Sequence, residues 1–225
     1  MAHDNDIREG YGLSPLFFLS YAHSVPVRRQ KRATQDPGQH IIRFFDDLSE
    51  NVAELAARLP GSDPGYIDQS MPSGRQWTRE LLDALSTCQA FVALLSAQYF
   101  SRPWCAMEWH AFSQRTVVSR PSGQVSNETA IIPVVWASLP PPEQIPPVVS
   151  ATQRFTPPGL PDGIASQYEK DGVFGLMRIG HESDYDAVVW RLAQRIAELH
   201  YGYYIKPHDF RDSEELRDIF REQRS

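Results

Sequence analysis

Runs of apolar residues alternate with amphipathic stretches along most of this chain. Leu16 to Leu19 is a continuous apolar run and Ala90 to Leu95 is a longer one, and both predict buried strands of a parallel sheet. Apolar positions recur at steps of three and four residues from Ile41 to Leu59 and again from Trp77 to Cys88, which predicts two amphipathic helices. This alternation favours a parallel sheet with helices on both faces.

Two further strands fit the same alternation. Gly65 to Ile67 predicts a brief strand, and Ile131 to Trp136 predicts a fourth. Pro133 removes one donor from the ladder of the fourth strand, so this strand is expected at an edge or with a bulge. We expect a fifth strand near Val148 to Phe155 or at Leu176 to Ile179, within a stretch rich in proline and glycine.

The last part of the chain is strongly helical in its pattern. Ser183 and Asp184 predict the start of a long amphipathic helix, because serine and aspartate are favoured N-cap residues. We therefore divide the chain into a flexible leader (residues 1–13), an α/β domain (residues 14–202) and a helical tail (residues 203–225).

The composition is that of a soluble globular protein. The chain of 225 residues has 41% hydrophobic and 22% charged residues, and it contains no run of 18 apolar residues that would predict a membrane span. Because the first residues are polar and lack the apolar core of a signal peptide, we expect a cytoplasmic protein that does not contact membranes.

Charge and metal-binding residue types narrow the possible partners. The formal charge of −6 argues against a general nucleic-acid surface, and the basic cluster from Arg28 to Arg32 is interpreted as a solvated loop. Cys88 and Cys105 are too few for a disulfide framework, so both are expected to be reduced and at least partly buried. None of the 7 histidines has the spacing of a metal ligand, so no metal site is expected.

One stretch places a carboxylate on an otherwise apolar helix. Pro103 suits the first position of a helix, with Ser101 or Arg102 as its cap. At 100° per residue, Glu108 falls between Trp104 and Phe112, in the middle of the apolar face of that helix.

A buried carboxylate needs compensation, since burying it alone costs several kcal/mol, roughly. Glu108 could pair with an arginine such as Arg102 or Arg154, or it could reach the edge of the face. The remaining alternative is a cleft that exposes Glu108 for a function.

Four segments, in order, resemble the TIR (Toll/interleukin-1 receptor) domain family. They are Phe17-Phe18-Leu19-Ser20-Tyr21-Ala22, the loop from Asp68 to Trp77, the strand from Phe91 to Ser96, and Trp104-Cys105 to Glu108. The amino-acid sequence as a whole is also similar to that of actinobacterial TIR-like proteins of the FxsC type. The resemblance implies a flavodoxin-like three-layer fold, with a central parallel sheet of about five strands and helices on both faces.

The resemblance also implies an activity. Many bacterial members of the family cleave the nicotinamide–ribose bond of NAD+, and a carboxylate then stabilises the positive charge that develops on the ribose. By position, Glu108 would be catalytic, while Ser20, Tyr21, Ala22, Ser73, Gly74, Trp77 and Trp104 would bind the substrate. NAD+ would be the substrate with no further cofactor, and TIR–TIR contacts would mediate self-association.

Two alternatives to an enzyme remain open at this stage. One is a non-catalytic TIR scaffold that acts through protein–protein assembly, and the sequence alone does not separate it from the enzyme. The other is a phosphoacceptor receiver domain on the same fold. It is disfavoured, because the first strand ends in Ser20 and Tyr21 where a receiver needs acidic residues for its metal.

Overall fold

The computed structural model describes residues 14–23, 37–57, 61–69, 77–210 and 216–222. Its strands are β1 (Phe17–Ser20), β2 (Gly65–Ile67), β3 (Ala90–Leu95), β4 (Val117–Ser119), β5 (Ile131–Val135) and β6 (Tyr203–Ile205). Its helices are α1 (Pro37–Leu55), α2 (Arg79–Thr87), α3 (Ala97–Phe100), α4 (Pro103–Ser113), α5 (Pro147–Ser150), α6 (Asp162–Ile179), α7 (Glu182–Gly202) and α8 (Ile219–Glu222), with a 3-10 turn at Pro142–Gln144.

The central sheet is parallel, and its strand order is β2-β1-β3-β5. Phe18 of β1 lies opposite Tyr66 on one side and Phe91 on the other. Every residue of β1, β3 and β5 is buried, which explains why these strands appear in the sequence as continuous apolar runs. The flavodoxin-like α/β fold predicted from the sequence is confirmed, with four strands in this sheet among the described residues.

The fifth strand was expected in the wrong place. Val148 lies in α5, where Pro146 and Pro147 begin a single helical turn. Leu176 and Met177 lie in α6, and both side chains are buried on its inner side. Short apolar runs do not distinguish a buried helical turn from a buried strand. Leu176 to Ile179 is helical, whereas the first segment has one helical turn to Ser150 and then irregular backbone.

Helices cover both faces of the sheet. Right-handed crossovers place α1 on one face, where it packs against α7, and place α2 and α4 on the other. The ring centroids of Phe17 and Phe45 of α1 are 5.7 Å apart, whereas those of Phe91 and Phe112 of α4 are 5.4 Å apart. Because side chains alternate along a strand, Ser20 points to the α4 face.

The outer edge of the sheet at β5 is formed around Pro133. The carbonyl of Pro133 points away from β3 and accepts a hydrogen bond from the Phe155 N–H at 2.8 Å. Since the N–H and C=O of one strand residue point to the same side, the donor that proline lacks is missing on the outer side only. Pro133 therefore costs the ladder with β3 nothing, and the edge position predicted for it is confirmed.

A small antiparallel ribbon of β4 and β6 lies beside the main sheet. The guanidinium of Arg115, which is only 8% exposed, donates to the carbonyl oxygens of Leu85, Cys88, Ile205 and Lys206 at 2.6–3.1 Å. Arg115 thus ties the ribbon to the C-terminal end of α2. Strand β6 lies at the start of residues 203–225, which the sequence predicted as a helical tail.

Residues beyond position 202 pack on the domain. Phe220 is buried and its ring lies 5.9 Å from that of Tyr99 and 6.1 Å from that of Trp109. The predicted domain boundary at residue 202 stays a prediction, and the leader of residues 1–13 and the basic cluster from Arg28 to Arg32 lie outside the described residues.

The two cysteines are free and buried, as the sequence predicted. Burial raises the pKa of the Cys88 thiol to about 11, since the thiolate would lose its hydration in the core. No helix among the described residues is long and apolar enough to cross a membrane.

Candidate functional site

Glu108 lies in the second turn of α4, a helix with almost no solvent-facing side. The helix begins at Pro103 with Arg102 at the N-cap, as predicted. Its buried side chains are Cys105, Ala106, Glu108, Trp109, Ala111 and Phe112. Trp104 and Met107, which the sequence placed on the apolar face, are only half-buried, whereas Trp109 is buried against Phe91 and Phe220. Glu108 itself is 5% exposed.

The Glu108 carboxylate accepts a hydrogen bond from a hydroxyl. The Oγ of Ser20, at the carboxyl end of β1, donates to Oε2 of Glu108 at 2.6 Å. The arginines considered as partners lie elsewhere: Arg102 donates to the side chain of Gln98, and Arg154 lines a separate cleft beside β5. Hydrogen bonds to a carboxylate are short and strong, so Ser20 supports the buried charge without neutralising it.

Tyr99 completes a chain of three groups. Its hydroxyl lies 2.9 Å from the Oγ of Ser20. Ser20 has one hydroxyl proton and donates it to Glu108, so Tyr99 must donate to Ser20. Burial, together with the nearby Cys105 and Glu108 side chains, raises the pKa of Tyr99 well above its ordinary value. Tyr99 therefore remains a protonated donor at neutral pH.

The position of Tyr99 follows from the short helix after β3. Ser96 caps α3, since its Oγ accepts the Tyr99 N–H at 3.1 Å, and the single turn directs Tyr99 into the core. Sequence reasoning missed Tyr99, because the segment from Ser96 to Arg102 was interpreted only as a link to the next helix. The available signal was the serine directly after a buried strand, three residues before the tyrosine.

The first loop is tied to the loop that follows β2. The hydroxyl of Tyr21 donates to the carbonyl oxygen of Asp68 at 2.9 Å, and its ring lies 4.3 Å from that of His23. Ala22 is half-buried and packs against the core. These residues form the wall of the site at the carboxyl edge of the sheet, where ligands bind in open α/β folds.

Two tryptophans predicted to bind substrate contact each other. The rings of Trp77 and Trp104 have centroids 5.4 Å apart at an angle of 58°, and both side chains are half-buried. Trp104 precedes Glu108 by four residues on α4, so the two side chains lie on the same side of the helix. Ser73 and Gly74, the remaining predicted contacts, lie outside the described residues.

A larger concave surface than the clefts near β5 lies elsewhere on the domain. A groove of about 610 Å³ runs between α1 and α7 and is lined by Asp47, Glu50 and Trp190 among others. It lies on the face of the sheet opposite Glu108, and its acidic residues are exposed or half-exposed. Size alone does not identify a functional site, and the buried carboxylate on the carboxyl edge of the sheet remains the candidate.

The sheet and this edge define a flavodoxin-like α/β protein with a polar site at the ends of β1 and β3. The family model described as "TIR domain" matches residues 43–157, and the chain belongs to this family. No curated protein and no solved structure matches the chain. Ser20 precedes the matched range, so its link to Glu108 comes from the three-dimensional arrangement.

Proposed function

We propose that this TIR domain is an NAD+ nucleosidase in which Glu108 is the catalytic carboxylate. The observation that supports this most directly is the buried Glu108 side chain, held by Ser20 at 2.6 Å on the carboxyl edge of the parallel sheet. The products would be nicotinamide and ADP-ribose, linear or cyclic. NAD+ is the substrate, and the reaction needs no further cofactor.

The chemistry requires a negative charge close to the ribose. The bond between C1′ of the ribose and the nicotinamide nitrogen breaks, and its electron pair leaves with nicotinamide. The positive charge left on the ribose is stabilised by the carboxylate of Glu108. Water then adds to C1′ and releases a proton, which gives linear ADP-ribose; attack by a nitrogen of the adenine gives the cyclic product.

Other residues of the site would position the substrate. Trp77 and Trp104 offer aromatic faces on which a nicotinamide or adenine ring can stack. Ser20, Tyr21 and Ala22 form one wall, and Ser73 and Gly74 would form another. Because the Glu108 side chain is 5% exposed, NAD+ can reach it only after one of these walls opens.

Self-assembly is the proposed cause of that opening. If TIR–TIR contacts bind the open form more tightly than the closed form, assembly shifts the population toward the open form. The loop from Asp68 to Trp77 is the proposed coupling element, since Asp68 accepts a hydrogen bond from Tyr21 and Trp77 contacts Trp104.

The test compares turnover of NAD+ by the wild type and by Glu108→Gln. The amide keeps the size and hydrogen-bonding capacity of the side chain but removes its charge, so we expect turnover to fall by about 100-fold or more. Chromatography of NAD+, nicotinamide and ADP-ribose products measures the rate. Glu143→Gln is the matched control, because Glu143 is exposed in the 3-10 turn and should leave turnover unchanged.

Equal turnover by the wild type and Glu108→Gln would reject the catalytic assignment. No turnover by the wild type, in dilute or in concentrated solution, would instead favour a second candidate function, a non-catalytic TIR scaffold.

The second candidate is a non-catalytic TIR scaffold. One observation favours it: Glu108, Ser20 and Tyr99 form a continuous hydrogen-bonded chain within the core, as a purely structural network would. In that case the wild type would not cleave NAD+, and Glu108→Gln would only lower the melting temperature.

A further inference from the structure

A second cleft, of about 310 Å³, lies beside the outer edge of β5, away from Glu108. Its walls are Ile131, Ile132 and Pro133 of β5, the segment from Thr152 to Thr156, and one side of α7. The α7 side contributes Arg191, Arg195 and Glu198, and Arg154 lies on the opposite wall. Within the central sheet, β3 separates β5 from β1, which carries Ser20.

The charges of this cleft do not balance. Both of its acids engage Arg195: Glu128 at 2.5 Å and Glu198 at 3.5 Å. Arg191 donates to the amide oxygen of Gln194 at 2.9 Å. Across the ranges that the structure describes, no acid pairs with Arg154 or Arg191. With three arginines and two glutamates, the cleft carries a net charge of +1 in a chain whose formal charge is −6.

Neighbouring residues contact the guanidinium groups of Arg195 and Arg191 at the cleft. Oε1 of Glu128 accepts the N–H groups of Thr129 and Ala130, which fixes the carboxylate that holds Arg195. Gly159 has φ of +67°, and a Cβ there would lie 3.5 Å from Nη2 of Arg191. The turn at Gly159 therefore passes close to the Arg191 guanidinium.

We propose that this cleft binds the phosphate group of a small organic phosphate. Two guanidinium groups without acidic partners, in a cleft of net positive charge, favour a phosphate monoester, which carries a charge of −1.5 to −2, approximately, at pH 7. The planar guanidinium also presents paired N–H donors that fit phosphate oxygens. A volume of about 310 Å³ is at the lower end of small-molecule sites, which indicates a ligand of about sugar-phosphate size.

Calorimetric titration with ribose 5-phosphate at constant ionic strength tests the site, with ribose as the neutral comparison. We expect saturable binding of the phosphate and none of ribose. Arg191→Gln and Arg154→Gln should each weaken binding by about tenfold or more, because each removes a charge-assisted contact. Arg79→Gln is the matched control: this exposed arginine of α2 lies outside the cleft and should bind as the wild type does.

The site does not depend on NAD+ cleavage, so Glu108→Gln should bind ribose 5-phosphate with the affinity of the wild type. Three results would each overturn the proposal: no saturable binding by the wild type, equal binding of ribose and ribose 5-phosphate, or equal affinity of Arg79→Gln and Arg191→Gln. Circular dichroism of each variant confirms that these surface substitutions leave the fold intact.

Discussion

A single hydroxyl proton sets the arrangement around Glu108. Ser20 donates its hydroxyl hydrogen bond to the carboxylate, so its lone pairs accept from the Tyr99 hydroxyl, 2.9 Å away. Tyr99 therefore acts on Glu108 through Ser20, because it fixes which way the Ser20 hydroxyl points. If the site cleaves NAD+, Tyr99 is a positioning residue.

The substitution Tyr99→Phe separates positioning from simple stability. It keeps the buried ring but removes the donor, so Ser20 can turn away from Glu108, and we expect kcat for NAD+ to fall about tenfold with little change in KM. Ser20→Ala should behave similarly, and Ser20→Thr, which keeps a hydroxyl, should restore part of the rate. Steady-state kinetics give both constants.

Tyr168→Phe is the matched control for this prediction. Tyr168 is also a fully buried tyrosine, but its hydroxyl accepts the Val135 N–H of β5, away from Glu108. Its loss should lower the melting temperature and leave kcat unchanged. If Tyr168→Phe and Tyr99→Phe reduce kcat equally, the effect is one of general stability and Tyr99 has no positioning role.

At the scale of secondary structure, one side chain joins elements that are distant in the sequence. Arg115 follows α4 and connects the end of α2 with β6 through hydrogen bonds to backbone carbonyls. Leu85, Cys88 and Ile205, whose carbonyls accept these bonds, are buried. A buried acceptor without a partner costs about 1–3 kcal/mol.

We expect Arg115→Met to lower the free energy of unfolding by about 3 kcal/mol or more, because several carbonyl oxygens lose their donor at once. For a domain of this size that corresponds to a fall in melting temperature of roughly 6 °C or more. Arg115→Lys should lie between methionine and the wild type, since an ammonium group reaches fewer of these oxygens. Thermal and urea denaturation measure the change.

Arg120→Met provides the comparison for the same ribbon. Arg120 is exposed and donates to the carbonyls of His200 and Tyr203, so its loss can be compensated by water and should cost less than 1 kcal/mol, roughly. Equal, small losses for both arginines would contradict the role assigned to Arg115.

Local sequence patterns predicted most of the helices and strands. Contacts between residues distant in the sequence could not be predicted in this way. The buried runs ending at Ser20 and Leu95 and the helix that begins at Pro103 were predictable, because burial and capping are visible in neighbouring residues. The pairing of Val117 with Ile205 was not, since nothing local links strands that far apart. Gly172, whose φ of +69° brings α6 against the backbone of Trp136, was equally invisible.

The residues of the candidate site also differ in whether the local sequence could predict them. Glu108 could be predicted because a carboxylate on an apolar helix face is a local anomaly. Its hydroxyl partner could not be derived from spacing, since Ser20 and Glu108 are 88 positions apart and meet only once the sheet forms. Tyr99 carries no charge, and its local signal was the capping position of Ser96 three residues earlier.

At the scale of the whole molecule, the proposed activity should depend on protein concentration. Met71, which lies outside the described residues, is an apolar residue in the loop from Asp68 to Trp77. If this loop mediates TIR–TIR contacts, Met71→Asp should lower turnover of NAD+ strongly in dilute protein and less in concentrated protein. Rates per molecule are measured across a dilution series together with light scattering.

A rate per molecule that is constant across the series, and equal in the wild type and Met71→Asp, would show that the monomer is competent. Gln98→Asp, on the exposed side of α3, is the control for an added charge. Leu82→Asp is unsuitable, because the Leu82 side chain packs against the core.

The bond between Phe155 and Pro133 also limits how copies of this protein can meet. An open strand edge is a template on which another chain can add a strand, and uncontrolled addition leads to fibres. At β5 the proline offers no outward donor at its position and its carbonyl is already occupied by Phe155. Sheet-to-sheet growth is therefore blocked on this side, and a neighbouring molecule arriving here has to engage loops and helices.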